Sequence, residues 1–185
     1  VEAGRPDSIT REKLEVIRKH PVTRISINPQ TMNQKTLEII GRKHTVEETK
    51  EAFLLARELG FDNINMDLIV GLPGEGKEEV EHTLQEIRNL DPDSVTVHSL
   101  AVKRAARLNM FKDQYKEMFF INNMEIMDMT EKACMESGLF PYYLYRQKNM
   151  AGNLENVGYA RPGKEGIYNI LIMEEKQSIL ALGAG

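Results

Sequence analysis

The stretch Asn63-Ile-Asn-Met-Asp67-Leu-Ile-Val-Gly71, running straight into Leu72-Pro-Gly-Glu-Gly76-Lys77-Glu78, decides the fold. Its first part ends in a continuous apolar run, as strands covered on both faces do in parallel sheets. The glycines and Pro73 then break the strand, and Val80, Leu84, Ile87 and Leu90 recur at helical spacing. Strand, tight turn and amphipathic helix make the repeating unit of a parallel α/β sheet.

The same alternation extends to both sides. Upstream, Arg24–Asn28 reads as a short strand and Asn33–Ile40 as a brief helix stopped by Gly41. Thr45-Val-Glu-Glu48 is a capping box that opens a helix carrying Phe53, Leu54, Ala56 and Leu59, closed by Gly60. Cap candidates at Asp7–Thr10 start a helix to about His20, with Leu14 and Ile17 on its buried side. Downstream, Ser94–His98 is a strand. A long helix from about Lys112 to Ser137 carries Met118, Phe119, Met124, Met127 and Met129, which read as core packing. Tyr142–Arg146 and Ile167–Met173 read as two further strands separated by a polar loop. A complete eight-unit barrel takes about 250 residues. Here three or four units precede a change of pattern near residue 110. The expectation is the second half of a partial β/α barrel over residues 1–110, with an appended α+β region over residues 111–185.

Composition narrows the function. With 41% apolar residues the chain can bury a core. Lys+Arg 24 against Asp+Glu 28 gives a net charge of −4 and a pI near 5.7. Binding nucleic acid through a broad basic surface usually reads above about pI 9, so no nucleic-acid partner is expected. The single Cys134 excludes an internal disulfide framework and a self-contained thiolate metal site. No apolar run approaches the roughly 18 residues of a membrane span, and the chain does not open on a signal peptide, so a cytoplasmic location is expected. The apolar run Ile179–Gly185 and the turn-like opening Val1–Pro6 suggest a piece of a longer protein.

Gly71, Gly76 and Lys77 almost satisfy the phosphate-binding loop pattern. Glu78 replaces the magnesium-holding hydroxyl, Glu75 adds a second carboxylate and Pro73 removes a backbone donor, so a tight strand-to-helix turn is the better account. Asp67 lies inside a strand, where a carboxylate is costly unless paired or bound. It is either a structural ion pair or a ligand of a ribose or cofactor at the carboxyl ends of the strands. Glu2, Gln30 and Arg42 also follow apparent strands or end helices. Together they can converge on one ligand, with Arg42 forking a carboxylate and the acids accepting from hydroxyls. The four histidines show no ligand spacing; His82 reads as helix surface and His98 as site-facing. The segment 141–159 is dense in tyrosine, cations and amides. It is either an edge strand with a solvated loop or an arm for a flat anionic substrate, with Tyr145, Arg146, Lys148 and Asn149 as candidates.

Arg24-Ile-Ser-Ile-Asn-Pro-Gln30, Gly41-Arg-Lys-His-Thr45, Asn65-Met-Asp-Leu-Ile-Val-Gly-Leu-Pro-Gly74 and Ser94-Val-Thr-Val-His-Ser-Leu-Ala101 stand in the order and spacing of one family. They resemble the radical S-adenosylmethionine coproporphyrinogen III dehydrogenases, the oxygen-independent oxidases of haem biosynthesis. Tyr145-Arg-Gln-Lys-Asn-Met-Ala-Gly-Asn153 and Glu155–Ala160 are similar to the branch found in Gram-positive anaerobes. The resemblance implies a partial β/α barrel, a 4Fe–4S cluster on a Cys-x-x-x-Cys-x-x-Cys loop, and S-adenosylmethionine cleaved to a 5′-deoxyadenosyl radical. Two propionates of coproporphyrinogen III would become vinyl groups, giving protoporphyrinogen IX. It assigns cofactor contact to Glu2, Gln30, Arg42 and Asp67, and apolar positions beside the cofactor to Ile69 and Ala101. The cluster cysteines are absent here, so the chain matches the later part of such an enzyme. It is expected to be inactive alone, to depend on the N-terminal half, and to self-associate through an open barrel edge. Electron donor and acceptor are left open. A sister branch transfers haem, which makes a haem chaperone the second expectation. A phosphate-binding barrel enzyme, resting on the glycine loop, is the third.

Overall fold

The computed structural model describes residues 1–100, 123–145, 155–176 and 178. A single six-stranded sheet organises them, in the order β1-β2-β3-β4-β6-β5. The strands β1 (Glu2–Gly4), β2 (Ile25–Gln30), β3 (Ile64–Val70) and β4 (Ser94–Ser99) are parallel neighbours in chain order. Beyond β4 the sheet continues with β6 (Asn156–Ala160) and β5 (Phe140–Tyr145), both antiparallel to their neighbours.

Connections between the parallel strands are helical: α1 (Arg11–Arg18) after a 3₁₀ turn at Pro6–Ser8, α2 (Gln34–Ile39) and α3 (Val46–Glu58), then α4 (Lys77–Leu90). The start of α3 follows from its residues. Thr45 Oγ1 accepts from the Glu48 N–H at 3.1 Å while the Glu48 carboxylate accepts from the Thr45 N–H at 2.7 Å, satisfying two orphan donors reciprocally. Asp93, immediately before β4, accepts from Arg57 Nη1 at 2.7 Å and from the Ile64 N–H at 2.8 Å, so α3 and the starts of β3 and β4 share one anchor.

The strands have two unlike faces. Ile25 and Ile27, Ile64, Met66, Leu68 and Val70, Val95 and Val97, and Val157 and Tyr159 are buried against Leu14 of α1, Phe53 and Ala56 of α3, and Val80 and Ile87 of α4. The intervening residues, among them Ser26, Asn65, Asp67, Ser94, Thr96 and His98, alternate onto the opposite, largely polar face. The helix α5 (Met124–Glu136) also lies on the apolar side, through Ile126, Thr130 and Cys134.

Three expectations are corrected. The segment Ile167–Met173 is a helix, α6, not a strand. A seven-residue apolar run does not distinguish the two by periodicity, and the place beside β4 is already taken by β6. The segment Asn156–Ala160, read as loop, is a fully buried strand paired on both sides. Its Gly158 serves a close approach described below. In α5 the buried stripe is Ile126-Thr130-Cys134, and Met127 and Met129 pack against the core beside it, whereas Met124 is 62% exposed and does not. The proposed helix residues before 123 lie outside the described residues.

Candidate functional site

The polar sheet face is built by alternation. In β3, residues Asn65, Asp67 and Ile69 share a side, and Asp67 and Ile69 are only partly buried while their neighbours in the strand are closed off. Asp67 is level with Thr96 of β4, and Ile69 with His98. On the β1 side, exposed Glu2 accepts a hydrogen bond from Asn28 Nδ2 at 3.2 Å. On the β5 side, the Tyr143 ring lies over Gly158, where an added Cβ would fall 2.0 Å from Tyr143 Cε1. The glycine is what lets an aromatic ring lie down on this face.

Electrostatically these residues form one neighbourhood. Burial pushes the Asp67 carboxyl above its usual range, Glu2 adds to that, and His98 together with the Asn65 amide and the nearby Thr96 hydroxyl pull the other way. Asn65 Nδ2 donates to Asp67 Oδ1 at 2.7 Å, and Thr96 Oγ1 donates to Asn65 Oδ1 at 3.2 Å. Tyr143 faces the same group, and burial pushes its phenol up to about 12.

Gln30 ends β2. Between Ile27 and Gln30 the register with β3 shifts, which makes a bulge that accommodates Pro29. Gln30 itself has φ 73°, a left-handed conformation that costs a non-glycine residue about 1 kcal/mol or more and marks a constrained strand end. The next residue, Thr31, donates from Oγ1 to the buried Glu75 carboxylate at 2.6 Å, and Asn33 Nδ2 donates to it at 3.1 Å. Glu75 thereby ties the loop after β3 to the turn after β2. Burial raises its carboxyl above the usual range. That loop turns at Gly71 and Gly74, both with positive φ. Its carboxylate faces inward, and Lys77 pairs with Glu125 of α5 at 2.6 Å, an arrangement of a structural turn rather than a phosphate cradle.

Arg42 follows α2 and is partly buried. Desolvation lowers its pKa first and the Arg5 guanidinium second, with Asp7 opposing them. Among the described residues its guanidinium makes no hydrogen bond or ion pair. The charges that act on Arg42 come from the loop after β1, whereas Glu2 acts on Asp67. The structure thus brings Glu2, Asp67 and Ile69 onto one face and sets Gln30 at the end of β2, with Arg42 in a neighbouring charged cluster. Tyr145 is level with Asn156 at the end of β5. Ala101, Arg146, Lys148 and Asn149 lie outside the described residues. Sequence reasoning did not single out Asn65, Thr96 or Tyr143. Asn65 was findable, since it stands two residues before Asp67 and must share its face.

S-adenosylmethionine presents an ammonium group, ribose hydroxyls, an α-carboxylate and an adenine. Carboxylates at Glu2 and Asp67, the Arg42 guanidinium and an apolar side chain at Ile69 match those groups chemically. An iron–sulfur cluster does not fit this chain. Among the described residues no cluster of histidine, cysteine and carboxylate side chains is arranged to hold a metal. Cys134 is buried, with its thiol pushed up to about 12 by desolvation.

The comparisons point to a class: residues 3–87 of the chain match the radical SAM superfamily. Within the superfamily the chain is similar to the oxygen-independent coproporphyrinogen oxidase-like proteins. It is 55% identical, over its whole length, to the oxygen-independent coproporphyrinogen-III oxidase-like protein HemZ of Bacillus subtilis, of which it covers 37%. Over 56% of the chain it is 40% identical to the haem chaperone HemW of the same organism, covering 27% of that protein. Among solved structures, coproporphyrinogen III oxidase (HemN) of Escherichia coli superposes with a TM-score of 0.70 at 23% identity, over 94% of this chain and 37% of that one. The chain thus spans little more than a third of the oxidase-like relative's length. Among the described residues no helix is long and apolar enough to cross a membrane.

Proposed function

We propose that this chain supplies half the S-adenosylmethionine pocket and part of the substrate side of an oxygen-independent coproporphyrinogen III dehydrogenase. Residues 1–110 would form the barrel part and residues 111–185 the substrate-side extension. The observation that carries this reading is the kinship with the oxidase-like relative across the whole chain, whereas the haem chaperone match covers 56% of it. The cluster would be held by a preceding half, since this chain has one cysteine and it is buried. When bound, S-adenosylmethionine supplies the hydrogen-abstracting radical that starts decarboxylation of the two propionates.

The residues of this chain bind and orient. Asp67 and Glu2 accept from amino or hydroxyl groups of the cofactor, Arg42 receives its carboxylate, and Ile69 and Ala101 cover its apolar surface. Gln30, held at a strand end by the Thr31–Glu75 contact, presents an amide to the same ligand. Tyr145, Arg146, Lys148 and Asn149 meet the propionates of coproporphyrinogen III, the cations as charged donors.

The test uses the full-length protein, reconstituted with iron and sulfide under anaerobic conditions and given S-adenosylmethionine, reductant, an electron acceptor and coproporphyrinogen III. Formation of both 5′-deoxyadenosine and protoporphyrinogen is the expected result. Stoichiometric haem uptake with neither product would instead favour the haem chaperone reading, which the HemW likeness supports. 5′-Deoxyadenosine alone would retain the radical chemistry and reject this substrate.

A further inference from the structure

A relay of hydrogen bonds crosses the polar sheet face to Asp67, and its members are not themselves placed to meet a ligand. We propose that Asn65 and Thr96 are positioning residues that set the orientation of the Asp67 carboxylate for the cofactor group it receives. This rests on the cofactor reading above.

Both residues are only 3% exposed, whereas Asp67 is partly open. Thr96 stands level with Asp67 on the neighbouring strand. Its hydroxyl donates to Asn65 Oδ1, which turns the amide so that Nδ2 points along β3 and donates to Asp67 Oδ1 at 2.7 Å. Each end of the amide thus has one partner, and the partner at the ligand side is the carboxylate. Packing does not explain an asparagine at position 65: a strand interior prefers β-branched and aromatic side chains, and a buried amide is costly unless its groups are paired. An amide donor also favours the ionised form of the acid it serves. Here it counters the burial that pushes Asp67 toward neutrality. The other charged and titratable groups acting on Asp67 are Glu2 from β1, His98 from β4 and Tyr143 from β5.

The experiment is calorimetric titration of S-adenosylmethionine into the full-length, cluster-loaded protein across the weakly acidic to weakly basic range. In wild type, affinity falls on the acid side as Asp67 takes up a proton. Asn65→Leu removes the donor at similar volume and should move that acid limb upward by about one pH unit. Thr96→Val frees the amide to turn and should move it in the same direction by less, while Thr96→Ser, which keeps the hydroxyl, restores the wild-type limb. Asp67→Asn abolishes the limb and weakens binding at every pH. A loss of affinity in Asn65→Leu and Thr96→Val that is uniform in pH, with the limb unmoved, would overturn the positioning role while leaving Asp67 in the pocket. Wild-type affinity and limb in Asp67→Asn would overturn the cofactor reading and this inference with it.

Discussion

At the scale of single residues, Gly158 is the position with least freedom to change. A methyl group there would lie 2.0 and 2.3 Å from two carbons of the Tyr143 ring and 3.0 Å from Tyr142 Cε1. Gly158→Ala therefore has to displace a ring that packs beside Thr96 and Asp67. The expected cost is about 1–3 kcal/mol, the range of overpacked sites, read as a lower denaturation midpoint. Truncating Tyr143 in the same variant should recover most of it. An unchanged midpoint in Gly158→Ala would mean that the ring moves freely and is not a fixed wall of the site. Nothing local in Asn156-Val-Gly-Tyr-Ala160 announces this, because the neighbour that demands glycine arrives from another strand. Asp67 is the contrasting case. A carboxylate in an apolar strand is anomalous on sequence alone, and the structure supplies its setting.

At the scale of elements, the loop between β3 and α4 is held by a carboxylate it has buried. Glu75 is 1% exposed and accepts from Thr31 and Asn33 across the gap to β2. Its folded-state pKa is raised, chiefly by desolvation. A carboxyl raised in the fold contributes stability that is complete below its unfolded value, about 4.3, and is lost as pH rises through the folded value. Wild-type protein should lose stability through this group as pH climbs from acid toward neutral. Glu75→Gln keeps an acceptor for Thr31 and removes the buried charge. It should be the more stable of the two at neutral pH and converge with wild type in acid, as urea midpoints across pH would show. A variant less stable at all pH values would mean that the loop depends on the charge itself. From sequence the same glutamate read only as an obstacle to phosphate. Helix boundaries were more legible: the Thr45 capping box is a local pattern, and it forms. The apolar run Ile167–Met173 was illegible because helix and strand both tolerate seven apolar residues, and occupancy of the sheet decided between them.

At the scale of the whole molecule, the sheet formed by the described residues has β1 and β5 as its edges. Beside β1, a groove of about 460 Å³ runs along α1, lined by Ala3, Ile9, Leu14 and Ile17 together with exposed Val1 and Val16. The chain has one thiol, buried and protonated at neutral pH, on the apolar side of the sheet. Purified by itself after iron and sulfide treatment, it should be colourless and carry no stoichiometric iron by metal analysis. A brown, iron-bearing preparation would show a cluster site that the cysteine count excludes. The sequence by itself determined the parallel α/β architecture, because strand runs, helical spacing, caps and glycine stops are local and mutually consistent. It also determined the family resemblance and the identity of Asp67 as the anomalous acid. Only the tertiary structure decided that β6 inserts between β4 and β5, that Glu75 is an internal anchor, and that Thr96 and Tyr143 stand beside Asp67. Those relations join residues tens of positions apart, and pairing across strands is set by which edges and faces the fold leaves available, not by the residues nearest in the chain.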